Sequence, residues 1–347
     1  MPTFTSDQLR QITCEIFLAA GAKGDEAQIV ADALVRSNEA GHDSHGVLRI
    51  PEYTRWMEQE LIVTGAHIRI RKETEVFALI DGGWGFGQVV AREAMKVAID
   101  KASNVGVGTV SVSQCCHIGR VGDYPLMAAE AGMAAVMFVN THGGGKLVAP
   151  WGGRERRLAA NPVSVAIPRA GSWPLLMDIS TSSIAEGKVR GLLNRNMPVP
   201  PGHIIDSNGK ATTRAEDFYG PPPGALLPFG GHKGFALGML TDILAGALSG
   251  AGCSRAGAER VGNSFLAIVI AINAFCDRAA FDAQVEELIA YVKSSERISG
   301  FSEILVPGEL EAREAAARAR NGIVIDDETW RQIAEVGKRY GVTMPEG

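Results

Sequence analysis

Between residues 76 and 139 strand-like and helix-like patterns alternate, and this alternation limits what the chain can fold into. Residues 76–80 read as a strand, 82–87 as a glycine-rich turn and 88–103 as a helix. Residues 107–112 then read as a second strand, 123–132 as a helix and 134–139 as a third strand. A β-α-β-α-β order points to an α/β core. A strand, a glycine loop and a helix in succession also invite a G-x-G-x-x-G dinucleotide fingerprint, whose third glycine is needed where helix and strand pack closely. The spacing fails it. Counting from Gly83 gives Gly83, Gly85 and Gln88; counting from Gly85 gives Gly85, Gly87 and Val90. Ser113-Gln114, after the second strand, offers no carboxylate to a ribose. An ordinary Rossmann site is therefore set aside, and a dinucleotide would have to be held by another geometry.

The flanking segments read differently. Thr5 or Ser6 can cap a helix running to about residue 20, Gly24-Asp25 opens another that Gly41 ends, and 51–61 suits a third. Helical patterns return at 285–295, 309–320 and 327–340. The stretch 143–231 is dominated by turns and short strands, at 163–167, 175–178 and 204–206. Residues 233–250 form a mostly apolar helical pattern, and 265–273 a buried strand. At 347 residues the chain has room for about two domains. The expected division is a helical domain of 1–72 with 309–347 and an α/β core of 73–308.

Composition removes several classes of function. A formal net charge of −5 supplies no basic field for nucleic acid. The longest apolar run, 265–275, is too short to cross a membrane. Cys14, Cys115, Cys116, Cys253 and Cys276 include no C-x-x-C pair, so a reduced, cytoplasmic setting is expected; the first seven residues lack the regions of a signal peptide. No G-x-S-x-G elbow and no H-E-x-x-H motif is present. His42, Asp43 and His45 crowd three ligand types into four residues, which rarely fold around one ion, so no metal is expected.

Ser44-His45-Gly46 with Arg49 is the sharpest constellation. His45 and Arg49 are four apart and on a helical turn would share a face. Reduction of a 2-oxo acid needs a proton donor at the developing alkoxide and a guanidinium on the carboxylate, and this one segment holds both types. The bland alternative is a polar helix terminus with a capping serine. His117, just past the second strand, is a functional candidate or a structural loop histidine. Three more segments are open to either reading. Asn140 to Lys146 carries three glycines and a cation; Met177 to Ser183 ends a strand in a hydroxyl cluster; Gly230-Gly231-His232-Lys233-Gly234 precedes an apolar helix and offers backbone N–H groups to an anion.

Taken together and in order, these segments resemble the malate/L-lactate dehydrogenase family that is distinct from Rossmann-type lactate and malate dehydrogenases. The matching pieces include Gly41-His42-Asp43-Ser44-His45-Gly46-Val47, Gly87-Gln88-Val89-Val90-Ala91, His117-Ile118-Gly119, Val148-Ala149-Pro150-Trp151-Gly152-Gly153, Met177-Asp178, Gly187-Lys188, His232-Lys233-Gly234-Phe235 and Pro307-Gly308-Glu309. Within the family, His117 to Gly122 and Val199-Pro200-Pro201-Gly202 look most like the hydroxycarboxylate dehydrogenase B branch.

The resemblance implies a mixed α/β fold with a non-Rossmann NAD(P)-binding core, a mixed β-sheet and a helical domain built from both termini. It implies a homodimer, with the active site between domains and closed by the neighbouring subunit. It implies hydride transfer between NAD or NADP and a small 2-oxo or 2-hydroxy acid, with a cyclic imine acid or a catalytically silent homologue as alternatives. Carried over by motif, His45 is the proton donor and acceptor with Ser44 beside it. Arg49 binds the substrate carboxylate, and His117 is a substrate ligand or second acid/base. Thr141, Asp178, Ile179, Ser180, His232, Lys233, Gly308, Glu309 and Leu310 line the cofactor. The chain departs from the family pattern at Cys115-Cys116 and in the glycine-rich loop 141–146, where substrate contacts are expected.

Overall fold

The computed structural model describes residues 1–258 and 260–345. At its centre is a seven-stranded sheet in the spatial order Arg69–Glu73, Phe77–Asp81, Val107–Cys115, Asn263–Ile270, Ala134–Asn140, Val163–Ile167, Leu175–Ile179. Phe77–Asp81 and Val107–Cys115 pair in parallel, and the other ladders are antiparallel. The alternating 76–139 stretch is therefore not a run of three adjacent parallel strands. Asn263–Ile270 enters from far along the chain and separates the second predicted strand from the third. It is buried at six of its eight positions, as a near-continuous apolar strand in the middle of a sheet should be.

The helices Gly87–Val105 and Asp123–Glu130 pack one face of this sheet against Ile80, Val110, Val112, Met137, Val139, Phe265 and Val269. Side chains alternate across a strand, so Asn140 points to the opposite face from Val139. There it meets the helix His232–Asp242, Asn140 Nδ2 donating to Asp242 Oδ1 at 2.9 Å. The sequence pattern suggests one regular helix over 233–250. Instead, the stretch Ile243–Ala247 widens to i→i+5 bonding, Leu248 N–H donating to the Ile243 carbonyl. Gly246 lies so close to Asn140 and the Gly252 carbonyl that a side chain there would collide with both.

Both termini share a second core. Ser6–Ala19 starts on a Thr5–Gln8 capping box, as its sequence suggests, and packs with Glu26–Glu39, Ile50–Glu58 and Asp327–Arg339 around Leu9, Ile16, Phe17, Leu34, Tyr53 and Ile333. Thr3–Phe4 pairs with Ile323–Val324 and ties the two ends together. The edge strand Arg69–Glu73 spans the expected domain boundary between 72 and 73. Within the turn-rich middle, the structure adds two helices, Glu186–Asn194 and Ala215–Tyr219. They cover a small sheet of Ile204–Ile205, Ala211–Thr212 and Ala225–Leu226 around Val189, Phe218 and Leu226. Gly187 and Gly191 dilute the helical signal of the first, and five residues are too few for a period in the second.

The register brings the functional loops together. Asp81 pairs with Ser113, Cys115 with Asn263, Ser264 with Asn140, Phe138 with Val163, and Val163 with Ile179. The strand ends that lead into 82–87, 116–122, 141–146 and 180–183 therefore all lie at one end of the sheet.

Candidate active site

The segment before the helix Ile50–Glu58 folds as two short turns, Asp43–His45 and Val47–Arg49, broken at Gly46. This differs from the single helical turn the spacing suggests. The break is enforced by Asn38, which is buried. Its Oδ1 accepts from the Val47 N–H at 2.9 Å and its Nδ2 donates to Asp43 at 2.6 Å, and a Cβ at Gly46 would fall on that amide. Arg49 then folds back over the segment. Its Nε donates to the Ser44 carbonyl at 2.8 Å and its Nη1 to Glu52 at 2.6 Å, which leaves Nη2 as its uncommitted nitrogen among the described residues. Ser44 Oγ lies 3.0 Å from His45 Nδ1.

His117 comes from the end of Val107–Cys115. Its loop is held by Asn263, whose Oδ1 accepts from Ile118 N–H at 2.9 Å, and by Gly87, where a Cβ would strike the His117 carbonyl. The His117 ring stacks on that of His45, with centroids 5.5 Å apart and planes 17° from parallel. Tyr53 Oη sits 2.6 Å from His117 Nδ1 and accepts from Gln88 Nε2 at 2.9 Å. Nε2 of each histidine has no hydrogen-bond partner among the described residues, so both are available to a substrate.

Both imidazoles are held neutral. Burial, then the charges of Arg49, His42 and Arg120, lower His45 to about 3. Burial, Arg49 and His45 lower His117 well below the usual histidine range. Burial also raises the Tyr53 phenol, which keeps its proton. Cys115 and Cys116 do not face this pocket. Cys116 Sγ is directed at the carbonyls of Leu61 and Trp84, both at 3.2 Å, and burial pushes its thiol up to about 12. The departure at these positions therefore lies behind His117.

Four residues complete the site without having stood out in the sequence: Asn38, Tyr53, Gln88 and Arg120. Tyr53 occupies a core-facing position on a helix and reads as packing; Gln88 lies within the matching piece Gly87-Gln88-Val89-Val90-Ala91 but is given no role there. Arg120 lay within a matching motif but had no partner in view. It is buried, donates from Nη1 to Asp123 at 2.9 Å, and holds its Nε 4.0 Å from Asp178 Oδ2. Asp178 Oδ2 also accepts from Gly122 N–H at 2.8 Å, and no side chain would fit at Gly122. Burial raises the Asp178 carboxyl against the pull of Arg120 and that N–H.

The residues expected to line the cofactor fall into two groups. Asp178, Ile179 and Ser180 end the edge strand. Gly308 abuts its other end, with the Leu176 N–H donating to the Pro307 carbonyl at 3.3 Å. The loop before His232 joins the far side of the same strand end, Phe229 N–H donating to the Thr181 carbonyl at 3.1 Å. His232 and Lys233 are exposed, and Lys233 has no anionic partner among the described residues. That unpaired cation and the strand-end backbone fit a dinucleotide's phosphate and ribose. Other expected contacts are committed elsewhere. The Gly234 N–H is taken by the Phe229 carbonyl, so backbone N–H groups contribute less to an anion site there than the sequence suggests. The Glu309 carboxylate is buried between Lys293 and Arg313 and accepts from Val306 N–H; these partners hold it below the usual range, although burial alone would raise it. Leu310 is exposed, Thr141 Oγ1 donates to the Gly144 carbonyl at 2.6 Å, and Lys146 donates to the Arg255 carbonyl at 2.6 Å. Among the described residues, no group of three or more His, Cys, Asp or Glu is arranged to hold a metal ion. Asp43 is paired with Arg318 and His42 with Glu311.

The mixed α/β fold that carries the stacked histidine pair and the neighbouring guanidinium is shared with solved structures. The sequence profile of the malate/L-lactate dehydrogenases matches residues 4–334. The chain belongs to the malate/L-lactate dehydrogenase family. It is 37% identical to hydroxycarboxylate dehydrogenase B of Escherichia coli K12 over 99% of this chain and 95% of that one. The structure of malate dehydrogenase from Pyrococcus horikoshii superposes with a TM-score of 0.89 at 33% identity, covering 99% of this chain and 96% of that one. A more distant neighbour is Δ1-piperideine-2-carboxylate reductase from Pseudomonas syringae, with a TM-score of 0.83 at 28% identity and coverage of 97% and 100%. In the described residues, no helix is long and apolar enough to cross a membrane.

Proposed function

We propose that this dehydrogenase moves a hydride between a nicotinamide cofactor, NAD or NADP, and C2 of a small 2-oxo or 2-hydroxy acid. The observation that carries the reading is the neutral His45–His117 stack, with an Arg49 nitrogen left for an anion beside it. Asp178 to Ser180, Gly308 and the His232-Lys233 pair would hold the cofactor, which when bound supplies or accepts the hydride. Arg49 meets the substrate carboxylate. His45 takes the hydroxyl proton during oxidation, for which its neutral form is ready, and returns it to the C2 oxygen during reduction. The anionic carboxylate offsets the Arg49 charge that depresses His45, so binding of a 2-oxo acid and protonation of His45 favour each other.

The protein is also proposed to work as a homodimer in the reducing interior of the cell. Beyond Lys233 the helix His232–Asp242 and its continuation are mostly apolar, yet Met239, Leu240, Ile243 and Leu248 are exposed. A helix whose outward side is apolar is normally covered on that side too.

The test is oxidation of NADH and NADPH against a panel of 2-oxo acids with the cyclic imine Δ1-piperideine-2-carboxylate included. Turnover of a 2-oxo acid supports the reading. A higher kcat/KM for the imine than for every oxo acid would transfer the assignment to imine reduction, and no turnover of any of them would leave a silent homologue.

A further inference from the structure

Tyr53 Oη stands between two nitrogens, and with the Gln88 amide directing Nε2 at the phenol and leaving its buried Oε1 without a partner among the described residues, the hydrogen-bond arithmetic at that point has one solution. The Gln88 amide nitrogen, 2.9 Å away, can only donate, so it occupies a lone pair of the phenol oxygen. Tyr53 and Gln88 are each 1% exposed, so no bulk water serves the phenol. The acceptor left for the phenol proton is His117 Nδ1 at 2.6 Å. Were Nδ1 itself protonated, Tyr53 would keep a buried donor with no acceptor, which protein interiors avoid. Burial favours a neutral phenol and a neutral imidazole alike, so both groups hold the protons this arrangement needs.

A neutral imidazole whose Nδ1 accepts must carry its proton on Nε2. That nitrogen is the one without a partner among the described residues. It can give a hydrogen bond to a substrate oxygen but has no lone pair with which to take a proton. His45 is placed differently. Its Nδ1 neighbour is the Ser44 hydroxyl, which can rotate to donate or accept, so His45 is free to exist in either tautomer or as the cation. The two stacked histidines are chemically unequal because of what stands behind each.

We propose that Tyr53 and Gln88 are positioning residues that lock His117 as the Nε2–H tautomer, so that His117 donates a hydrogen bond to the C2 oxygen of the substrate while His45 alone transfers the proton. This rests on the hydride-transfer reading above for the identity of the oxygen, but not for the tautomer.

The test separates the two. Nitrogen-15 NMR of histidine-labelled enzyme reads the tautomer without turnover. The expected spectrum has His117 protonated at Nε2 and bare at Nδ1 in the wild type, and a mixture of tautomers in Tyr53→Phe. Gln88→Glu, which replaces the donor on the other side with an acceptor for the phenol proton, serves where Tyr53→Phe fails to fold, and is expected to mix the tautomers in the same way. Wild-type His117 protonated at Nδ1, or a tautomer unchanged in both variants, would overturn the proposal. With a turned-over acid in hand, Tyr53→Phe is expected to lower kcat about tenfold, as loss of a supporting contact does. The pH dependence should stay where His45 sets it. His117→Asn, which keeps an N–H donor, should recover most of the activity lost in His117→Ala. Loss of the pH-dependent limb in His117→Asn would make His117 an acid/base and sink the assignment of roles. Absence of turnover with every acid overturns only the activity, because the tautomer is read independently.

Discussion

His45 and His117 lie ring over ring at 5.5 Å, and Arg49 lowers the proton affinity of both. Two imidazolium ions cannot share this space, so the pair carries at most one positive charge while a substrate is bound. His45→Ala is expected to lower kcat by about 10²-fold or more, since it removes the general acid. A near-normal kcat in steady-state assays of His45→Ala would remove His45 from that role. Titration of the wild type with an unreactive 2-oxo acid analogue in buffers of different ionisation enthalpy should show proton uptake on binding.

Arg49 is tied to Ser44 and Glu52 by its Nε and Nη1, so it presents a fixed edge rather than a free fork. Lysine cannot make both anchoring contacts and still reach a carboxylate. Arg49→Lys should raise KM for the acid about tenfold or more, the scale of a lost charged hydrogen bond, with a smaller effect on kcat. The measurement is KM and kcat with the cofactor saturating. An unchanged KM would show that another group binds the carboxylate.

How much of this was legible in the sequence depended on how local the cause was. The helices at both termini follow from their periodicity and the Thr5–Gln8 cap. Arg69–Glu73, by contrast, is exposed at every residue, so no alternation marks it as a strand. The central place of Asn263–Ile270 depends on pairing with Val107–Cys115 and Ala134–Asn140, both far earlier in the chain, which no local pattern encodes. Within the site, His45 and Arg49 were legible because histidine and arginine at close spacing suggest chemistry. Tyr53 and Gln88 were not, because a tyrosine on the core face of a helix reads as packing. Asn38 was hidden for the same reason: its work is to satisfy backbone groups of a turn that had first to be known.

The start of the helix Glu186–Asn194 touches the catalytic segment. A Cβ added at Gly187 would lie 2.8 Å from Ser44 Cβ, so Gly187→Ala pushes on the residue next to His45. Misplacing a catalytic group by a fraction of an ångström costs up to about 10² in rate. Gly187→Ala should reduce kcat/KM at least about tenfold while the thermal midpoint changes little, because alanine suits a helix better than glycine. Full activity in this variant would mean that Ser44 yields without moving His45.

His142, held between the Gln114 N–H and the Asn263 carbonyl at the loop end of the sheet, predicts acid lability. Burial, reinforced by Arg255 and Arg260 against the pull of the Asn263 carbonyl, lowers it from 6.5 to about 4, and the Gln114 N–H donates to its Nε2 at 3.1 Å. Because the folded form resists protonation, the unfolded chain binds more protons between these values. Stability from this group is full above pH 6.5 and is lost as pH falls toward about 4, at up to about 1.4 kcal/mol per pH unit. His45, lowered to about 3, acts in the same direction. Chemical denaturation between pH 7 and 4.5 should show the decline, with a shallower slope in His142→Gln. Equal slopes in the two proteins would exclude His142 as a contributor.

The exposed apolar edge of the helix His232–Asp242 and its continuation bears on assembly and on activity together. Leu240 and Leu248 are 58% and 59% exposed, while Gly238, Thr241 and Gly246 on the other side are packed into the sheet. A charge at either leucine leaves the fold's own core untouched but makes burial against a second copy costly. Leu240→Asp with Leu248→Asp should convert a dimer into a folded monomer, read as a halved mass by light scattering with an unchanged circular dichroism spectrum. Lys233 begins this same helix, so the monomer should also bind the cofactor less tightly. A dimer that survives both substitutions would place the subunit contact on another face, and a monomeric wild type would overturn the proposed dimer itself.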